Sequence, residues 1–231
     1  DLYGGHAVIS IGHGHPHYVE RVKAQLEALP FYSNSVQNPL QEALAQKLGE
    51  LSGCENYQLF LCNSGAEAIE GALKFARSTT GKQEIIAAMR GFHGKTMGAL
   101  AATWGPEYQK PFAPMLPGIK HVPYNKIEKL EAAAGEQTAA ILLEPVQGEG
   151  GVRIGDREYF HKVRALCDDR NILLIMDEVQ TGFGRTGTMF ACEQEDVTPD
   201  LLCLAKGLTG GYLPLAATLT HDTIYEAFLG T

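Results

Sequence analysis

The stretch NILLIM (171–176) is a short apolar run that ends at two acids, Asp177 and Glu178. Apolar residues at consecutive positions predict a strand that is buried on both faces. We predict further strands in the short apolar runs at 57–62, 84–88, 138–143 and 201–204. The apolar residues at 17–29, 39–51, 65–76 and 157–169 have helical spacing. Strands separated by helices predict an α/β fold with a mostly parallel central sheet and helices on both faces.

Polar residues follow four of these predicted strands at the points where the strands end. They are Asn63 with Ser64, Glu144, Asp177 with Glu178, and Lys206. In a parallel α/β sheet the carboxyl ends of the strands form one edge, and ligands bind just beyond it. We therefore expect a hydroxyl, two acids and an amine to face one site.

The composition limits the partners of the chain. Its 231 residues carry a formal charge of −8, with 45% hydrophobic and 20% charged residues, as in ordinary soluble domains. The negative charge disfavours nucleic acid and anionic membranes, because both bind basic surfaces. The sequence lacks a signal-peptide pattern and an apolar run of membrane-spanning length, so we expect a cytoplasmic protein. The start at Asp1, without Met, predicts a fragment.

The cysteines and histidines of the sequence do not predict a metal site. An odd number of cysteines without a C-x-x-C pair predicts free thiols in a reducing compartment; they are Cys54, Cys62, Cys167, Cys192 and Cys203. The histidine-rich tract at 12–17 contains Gly and Pro and precedes a predicted helix, which favours a turn over a metal site. Asp177 and Glu178 have no His or Cys at ligand spacing nearby.

Two glycine-containing segments admit more than one interpretation. The segment at 63–67 predicts a turn into a helix whose backbone N–H groups can bind a phosphate, although a capping box of Ser64 and Glu67 explains the same residues. The segment at 91–96 ends like a nucleotide-binding P-loop, but Met89 stands where that motif requires glycine. Phe92 could instead stack on a planar ligand, or be an ordinary loop aromatic.

Asp177, Gln180 and Lys206 suggest cofactor chemistry. A carboxylate at the end of a buried strand can pair with a cationic ring nitrogen, and Gln180 in the following turn could reach a phenolic oxygen. The alternative is that Asp177 only caps the next segment. A lysine after an apolar strand is ordinarily a surface residue, but in a desolvated pocket its amine can form a Schiff base.

Six stretches occur in one order and together resemble the class III (ornithine/acetylornithine-like) aminotransferases. These are enzymes of fold type I that use pyridoxal 5'-phosphate (PLP). The stretches are LYGGHAVISIGHGHP (2–16), LCNSGAEAIEGALKFAR (61–77), GFHGKTMGAL (91–100), ILLEPVQGEGGV (141–152), ILLIMDEVQTGFGRTG (172–187) and PDLLCLAKGLTGG (199–211). The resemblance implies an N-terminal segment (1–35) and an incomplete PLP-binding large domain (36–231) that lacks the C-terminal small domain. It also implies a homodimer with the active site at the subunit interface.

The resemblance assigns roles to individual residues. Lys206 and Asp177 would be catalytic, with Lys206 bonded to PLP and Asp177 paired with the pyridine nitrogen. Phe92 and Val179 would cover the two faces of the ring, and Gln180 would approach its phenolic oxygen. The backbone of Gly65 and Ala66 would bind the phosphate, with Ser64 close by. On the substrate side, Glu144 resembles the carboxylate that lets the site accept an ω-amine and then a 2-oxo acid.

Lys95 leaves the amine substrate open. Members that act on ornithine-type substrates carry arginine at this position, where it binds a carboxylate bidentately, and lysine is not equivalent. We expect transfer of an ω-amino group from an acetylornithine- or ornithine-type amine to a 2-oxo acid, with 2-oxoglutarate as the usual acceptor. A putrescine-type diamine or another ω-amine is the alternative donor. The sequence is also compatible with an aminomutase, and with a non-catalytic PLP-binding fragment or interaction module.

Overall fold

A seven-stranded sheet forms the centre of the computed structural model, which describes residues 1–33, 35–53 and 57–229. The strands are β1 (Tyr57–Cys62), β2 (Glu84–Ala88), β3 (Ile119–Val122), β4 (Thr138–Leu143), β5 (Val146–Gln147), β6 (Arg153–Ile154), β7 (Leu173–Asp177), β8 (Leu201–Leu204) and β9 (Ala216–His221). The sheet order is β1-β9-β8-β7-β4-β2-β3, while β5 and β6 form a separate pair. Among the strands that the structure describes, β9 is antiparallel to both of its neighbours, β1 and β8, and the other pairs of the sheet are parallel, so the predicted mostly parallel sheet is confirmed.

Helices connect most of these strands. They are α1 (Gly4–Ala7), α2 (Pro16–Ala28), α3 (Pro39–Ser52), α4 (Gly65–Thr80), α5 (Met97–Ala102), α6 (Pro106–Gln109), α7 (Ile127–Ala133), α8 (Arg157–Arg170) and α9 (Asp222–Glu226), with short 3-10 helices at Lys110–Phe112, Ala191–Glu193 and Lys206–Leu208. Within the described ranges, none of the helices has both the length and the apolar character needed to cross a membrane.

The central strands are buried on both faces because helices cover both sides of the sheet. Leu174 and Met176 of β7 belong to one core together with Phe160 of α8. Between them, Ile175 points to the opposite face and packs in a second core with Ile69 of α4. This alternation explains why the strand sequences are almost continuously apolar.

Two element boundaries differ by more than one residue from the sequence-based expectation. The sequence predicts a strand over the whole of 171–176, but Asn171 caps the C-terminus of α8 in the left-handed conformation (φ 50°, ψ 52°) and β7 begins at Leu173. Asparagine tolerates this conformation better than most residues. Helix α4 continues to Thr80, beyond the expected end at 76, and stops at Gly81 with φ 68°.

Three of the described cysteines, Cys62, Cys167 and Cys203, are free thiols within the part of the chain that the structure describes, and Cys54 lies outside it. Cys203 lies in the middle of β8, where its thiol points to the carbonyl of Ala68 in α4 at 3.7 Å. Burial raises the pKa of this thiol well above its usual value, which keeps it protonated.

Glu178 organises the loop that follows β7. Its side chain is fully buried, and one carboxylate oxygen accepts the Thr181 hydroxyl (2.7 Å) and Ala191 N (2.9 Å). The other oxygen accepts Cys192 N at 2.7 Å. The second acid of the Asp-Glu pair therefore holds the segment 181–192 against the sheet.

We predict that Glu178→Ala destabilises the fold by about 3 kcal/mol or more, since each buried donor left without an acceptor costs about 1–3 kcal/mol. Chemical denaturation of the variant and of the wild type measures this difference. Glu136→Ala, at an exposed position between α7 and β4, is the control and should leave the midpoint unchanged. Equal midpoints for Glu178→Ala and wild type would show that the loop does not depend on this carboxylate.

Candidate active site

A cavity of about 740 Å³ opens beyond the carboxyl edge of the sheet. The ten residues that the sequence singles out for cofactor or substrate all line it. They are Ser64, Gly65, Ala66, Phe92, Lys95, Glu144, Asp177, Val179, Gln180 and Lys206. The ends of β1, β4, β7 and β8 thus converge on one site, as parallel strands require.

The start of α4 presents backbone donors to this cavity. Ser64 caps the helix, and its hydroxyl accepts Glu67 N at 3.3 Å. The Glu67 carboxylate accepts Asn63 N at 2.8 Å, one residue before the position that a standard capping box uses. N–H groups in the first turn of a helix have no intrahelical acceptor, so those of Gly65 and Ala66 are available to an anion.

Position 65 has no room for a side chain, because Val179, the residue after the Asp-Glu pair, lies close to it. A Cβ atom at position 65 would lie 2.9 Å from both γ-methyl groups of Val179 and 3.5 Å from the Ala205 methyl. The helix start therefore packs directly against the turns that follow β7 and β8. This contact brings the anion-binding donors close to the strand ends.

Asp177 is buried and receives two hydrogen bonds. His93 Nδ1 lies 2.8 Å from Asp177 Oδ2, and Val179 N donates to Oδ1 at 3.1 Å. Burial by itself would lower the pKa of His93, but the hydrogen bond and the charges of Asp177 and Glu144 outweigh it and raise that pKa. A protonated or Nδ1–H imidazole donates to Asp177, which fixes the carboxylate in the cavity wall.

Lys206 stands in a constrained turn directly after β8. Its φ is 31°, in the left-handed region that residues with a side chain rarely adopt. The turn is closed by Leu208 N, which donates to the Ala205 carbonyl at 2.8 Å. Burial lowers the pKa of the Lys206 amine, although the nearby carboxylate of Asp177 opposes the shift. A lysine with a lowered pKa has a larger neutral, nucleophilic fraction.

Glu144 lies under the loop that carries Phe92. Its side chain is buried, and Oε1 accepts Phe92 N at 2.9 Å. Burial raises the pKa of Glu144 to about 7, against the charge of His93 and the hydrogen bonds from Phe92 N and Gly148 N. The Phe92 ring is half-buried and meets the Tyr108 ring edge to face, with centroids 6.3 Å apart.

The outer wall of the cavity comes partly from the N-terminal segment. Arg185 donates to the Ala7 carbonyl at 2.6 Å and to the Gln180 carbonyl at 2.7 Å, which ties this segment to the turn after β7. His6 Nε2 lies 3.7 Å from Glu149 Oε2, and both side chains are exposed at the cavity wall. The rim therefore places an acid, Glu149, next to an imidazole.

The histidine-rich tract forms a turn. His15 precedes α2, its backbone N–H donates to the Tyr212 hydroxyl at 2.7 Å, and that hydroxyl donates to the Gly12 carbonyl at 2.7 Å. His13 pairs with Asp1 at 2.9 Å. In the described ranges, no group of three or more His, Cys, Asp or Glu side chains is placed to hold a metal ion.

His93, Tyr108 and Glu149 are among the cavity residues to which the sequence assigned no role. His93 lies inside the glycine-rich segment at 91–96, but its contact with Asp177 joins residues 84 positions apart. Tyr108 and Glu149 also line the cavity. Glu149 follows Glu144 by five residues and could have been noticed as a second acid near the same strand end. His93 and Tyr108 had no comparable local signal.

Comparisons with known proteins identify relatives of this chain in sequence and in fold. A family model described as "Aminotransferase class-III" matches residues 1–231. The acetylornithine aminotransferases of Methanopyrus kandleri and Methanocaldococcus jannaschii are each 50% identical, over 99% and 98% of this chain. The structure of an amine transaminase from an uncultivated Pseudomonas species, in its PLP-bound form, superposes with a TM-score of 0.92 and 33% identity over 98% of this chain.

The chain is shorter than these relatives. It spans 58% of each of the two acetylornithine aminotransferases and 58% of the solved amine transaminase.

The raised pKa of Glu144 predicts a pH dependence of stability. Between the ordinary value of 4.5 and about 7, the folded state keeps a proton that the unfolded state loses. The stabilisation from this proton is therefore complete below pH 4.5 and is lost as the pH rises to about 7. Glu144→Gln should remove this component, so its unfolding free energy should fall less with pH than that of the wild type. Urea denaturation from pH 5 to pH 8 measures both slopes, and parallel slopes would contradict the burial-driven shift.

Proposed function

The chain belongs to the class III aminotransferase family, and on that basis we propose that it forms the PLP-binding part of an enzyme that transfers an ω-amino group to a 2-oxo acid. The observation that carries the proposal is the meeting of Lys206, Asp177 and the start of α4 in one cavity. The Lys206 amine can bond to an aldehyde, and the buried acid Asp177 can pair with a pyridine nitrogen. The free N–H groups at the start of α4 can bind a phosphate. The donor set therefore fits PLP.

The phosphate would bind at the start of α4. Gly65 and Ala66 offer backbone N–H groups at the positive end of the helix dipole, and Ser64 lies beside them. Val179 leaves no room for a side chain at position 65, which supports a site in which backbone, rather than side chains, meets the anion.

The ring would lie against Asp177 on the sheet side. When bound, PLP supplies an electron sink for the bond cleavage next to the substrate nitrogen. Asp177 would hold the pyridine nitrogen, with its own orientation set by His93 Nδ1 and Val179 N. The Lys206 amine, whose pKa burial lowers, would accept and return the proton next to the substrate nitrogen. Phe92 and Val179 would exclude water from the two ring faces, and Gln180 would face the phenolic oxygen.

The substrate would meet the cavity rim. Lys95 is exposed there and offers a point charge to a substrate carboxylate. We assign Glu144 the role of a substrate-facing carboxylate, which accepts Phe92 N and so links the substrate side to the ring side. Glu149, more exposed and beside His6, is the second acid available to a substrate amine.

The names of the two curated relatives support acetylornithine as the leading donor. We propose 2-oxoglutarate as the acceptor to test first. A putrescine-type diamine remains the second candidate because Lys95 offers no bidentate carboxylate site. We further propose a cytoplasmic homodimer with the site at its interface, and a division into an N-terminal segment (1–35) and the PLP-binding domain (36–231).

Glutamate formation from 2-oxoglutarate tests the function, with the protein expressed from its complete reading frame. The donors are acetylornithine, ornithine, putrescine and 4-aminobutyrate. We expect Lys95→Arg to raise kcat/KM for carboxylate-bearing donors relative to putrescine by about 3- to 10-fold, because arginine adds a bidentate contact.

Two controls make this assay decisive. Lys206→Ala should abolish glutamate formation from every donor, and Lys129→Arg, on the exposed face of α7, should leave the donor ratio unchanged. An unchanged ratio in Lys95→Arg would place Lys95 away from the substrate carboxylate. PLP binding without glutamate formation from any of these donors would favour an aminomutase or a non-catalytic PLP-binding module instead.

A further inference from the structure

The segment 91–104, here named the cavity loop, closes on itself beside the site. Trp104 N donates to the Gly91 carbonyl at 2.8 Å, so the two ends of the loop meet. The loop contains α5 and contributes Phe92, His93 and Lys95 to the cavity. The position of the cavity loop therefore determines where these three side chains lie.

Thr103 fixes the inside of this loop. The residue is fully buried, and its hydroxyl oxygen accepts His93 N at 2.8 Å. The single hydroxyl hydrogen can go to the Ala99 carbonyl at 3.0 Å or to the Gly94 carbonyl at 3.2 Å. One side chain thus joins the end of α5 to the backbone of the residue that contacts Asp177.

The His93 ring is enclosed by its surroundings. Its Nδ1 reaches Asp177 Oδ2 at 2.8 Å, and a Cβ atom on Gly91 would lie only 2.9 Å from its Nε2. The ring and the carboxylate are both buried, with 1% and 5% of their side-chain surface exposed. With the ring confined on two sides, a shift of the His93 backbone would lengthen or misalign its hydrogen bond to Asp177.

We propose that Thr103 is a positioning residue: its hydroxyl holds the His93 backbone so that the imidazole stays hydrogen-bonded to Asp177. The geometric part of this proposal stands on contacts within the chain. Its consequence for catalysis rests on the proposed function, in which Asp177 holds the cofactor ring.

The test compares Thr103→Val, which removes the hydroxyl at equal size, with Thr103→Ser, which keeps it. The readout is the downfield proton NMR signal of the buried His93 Nδ1–H, assigned as the resonance that disappears in His93→Asn. We expect the signal in wild type and Thr103→Ser, and its loss or marked upfield shift in Thr103→Val. Thr138→Val is the matched control, since Thr138 is fully buried at the opposite edge of the sheet and accepts Gly135 N at 2.9 Å.

Each outcome decides the proposal. An unaltered signal in Thr103→Val, its absence from wild type, its loss in Thr103→Ser, or equal loss in Thr138→Val would overturn the positioning role. Thr103→Ala takes the place of Thr103→Val and is scored in the same way if the valine variant does not fold.

Activity provides the second readout. In the glutamate assay, Thr103→Val should lower kcat by about 10-fold with KM within about twofold, and serine should restore kcat, as expected for loss of one aligned hydrogen bond. A lower kcat/KM that comes only from a higher KM, with kcat unchanged, would contradict a role of Thr103 in positioning the reacting centre. Failure of the wild type to form glutamate would remove the proposed function but leave the NMR test of Thr103 intact.

Discussion

The hydrogen bond between His93 and Asp177 is the interaction on which the arrangement of the site depends. A carboxylate buried at a strand end is costly unless donors surround it. Asp177 obtains these donors from two directions: Val179 in its own turn, and His93 from a loop 84 residues earlier in the chain. Satisfying this one acid therefore brings the cavity loop over the end of β7, together with Phe92 and Lys95.

The two consecutive acids at the end of β7, Asp177 and Glu178, have different roles, since one borders the cavity and the other stabilises the fold. Asp177 faces the cavity, whereas Glu178 is buried on the other side and binds the donors of the segment 181–192. Both side chains are almost inaccessible, so burial alone does not distinguish them. Their partners do: Glu178 is saturated by loop donors, while Asp177 still borders open space.

The sequence predicted the strands whose residues are apolar on both faces, because that pattern is visible without tertiary contacts. It did not predict β9, in which buried Thr218 and Thr220 alternate with apolar residues and which runs antiparallel between β1 and β8. The cavity residues at strand ends could be named from the sequence because parallel strands end at one edge. The role of His93 could not, since it arises from a long-range contact with Asp177, nor could that of Thr103, whose partners are set by how the cavity loop closes.

Covalent attachment of PLP to Lys206 is the claim on which the proposed function rests. Borohydride reduction of the PLP-loaded protein, followed by proteolysis and mass mapping, identifies the attached lysine directly. We expect one stoichiometric phosphopyridoxyl group on the peptide that contains Lys206. Stoichiometric label on a peptide that contains another lysine, such as Lys95, or no label at all, would contradict the assignment of Lys206 and with it the role proposed for the whole cavity.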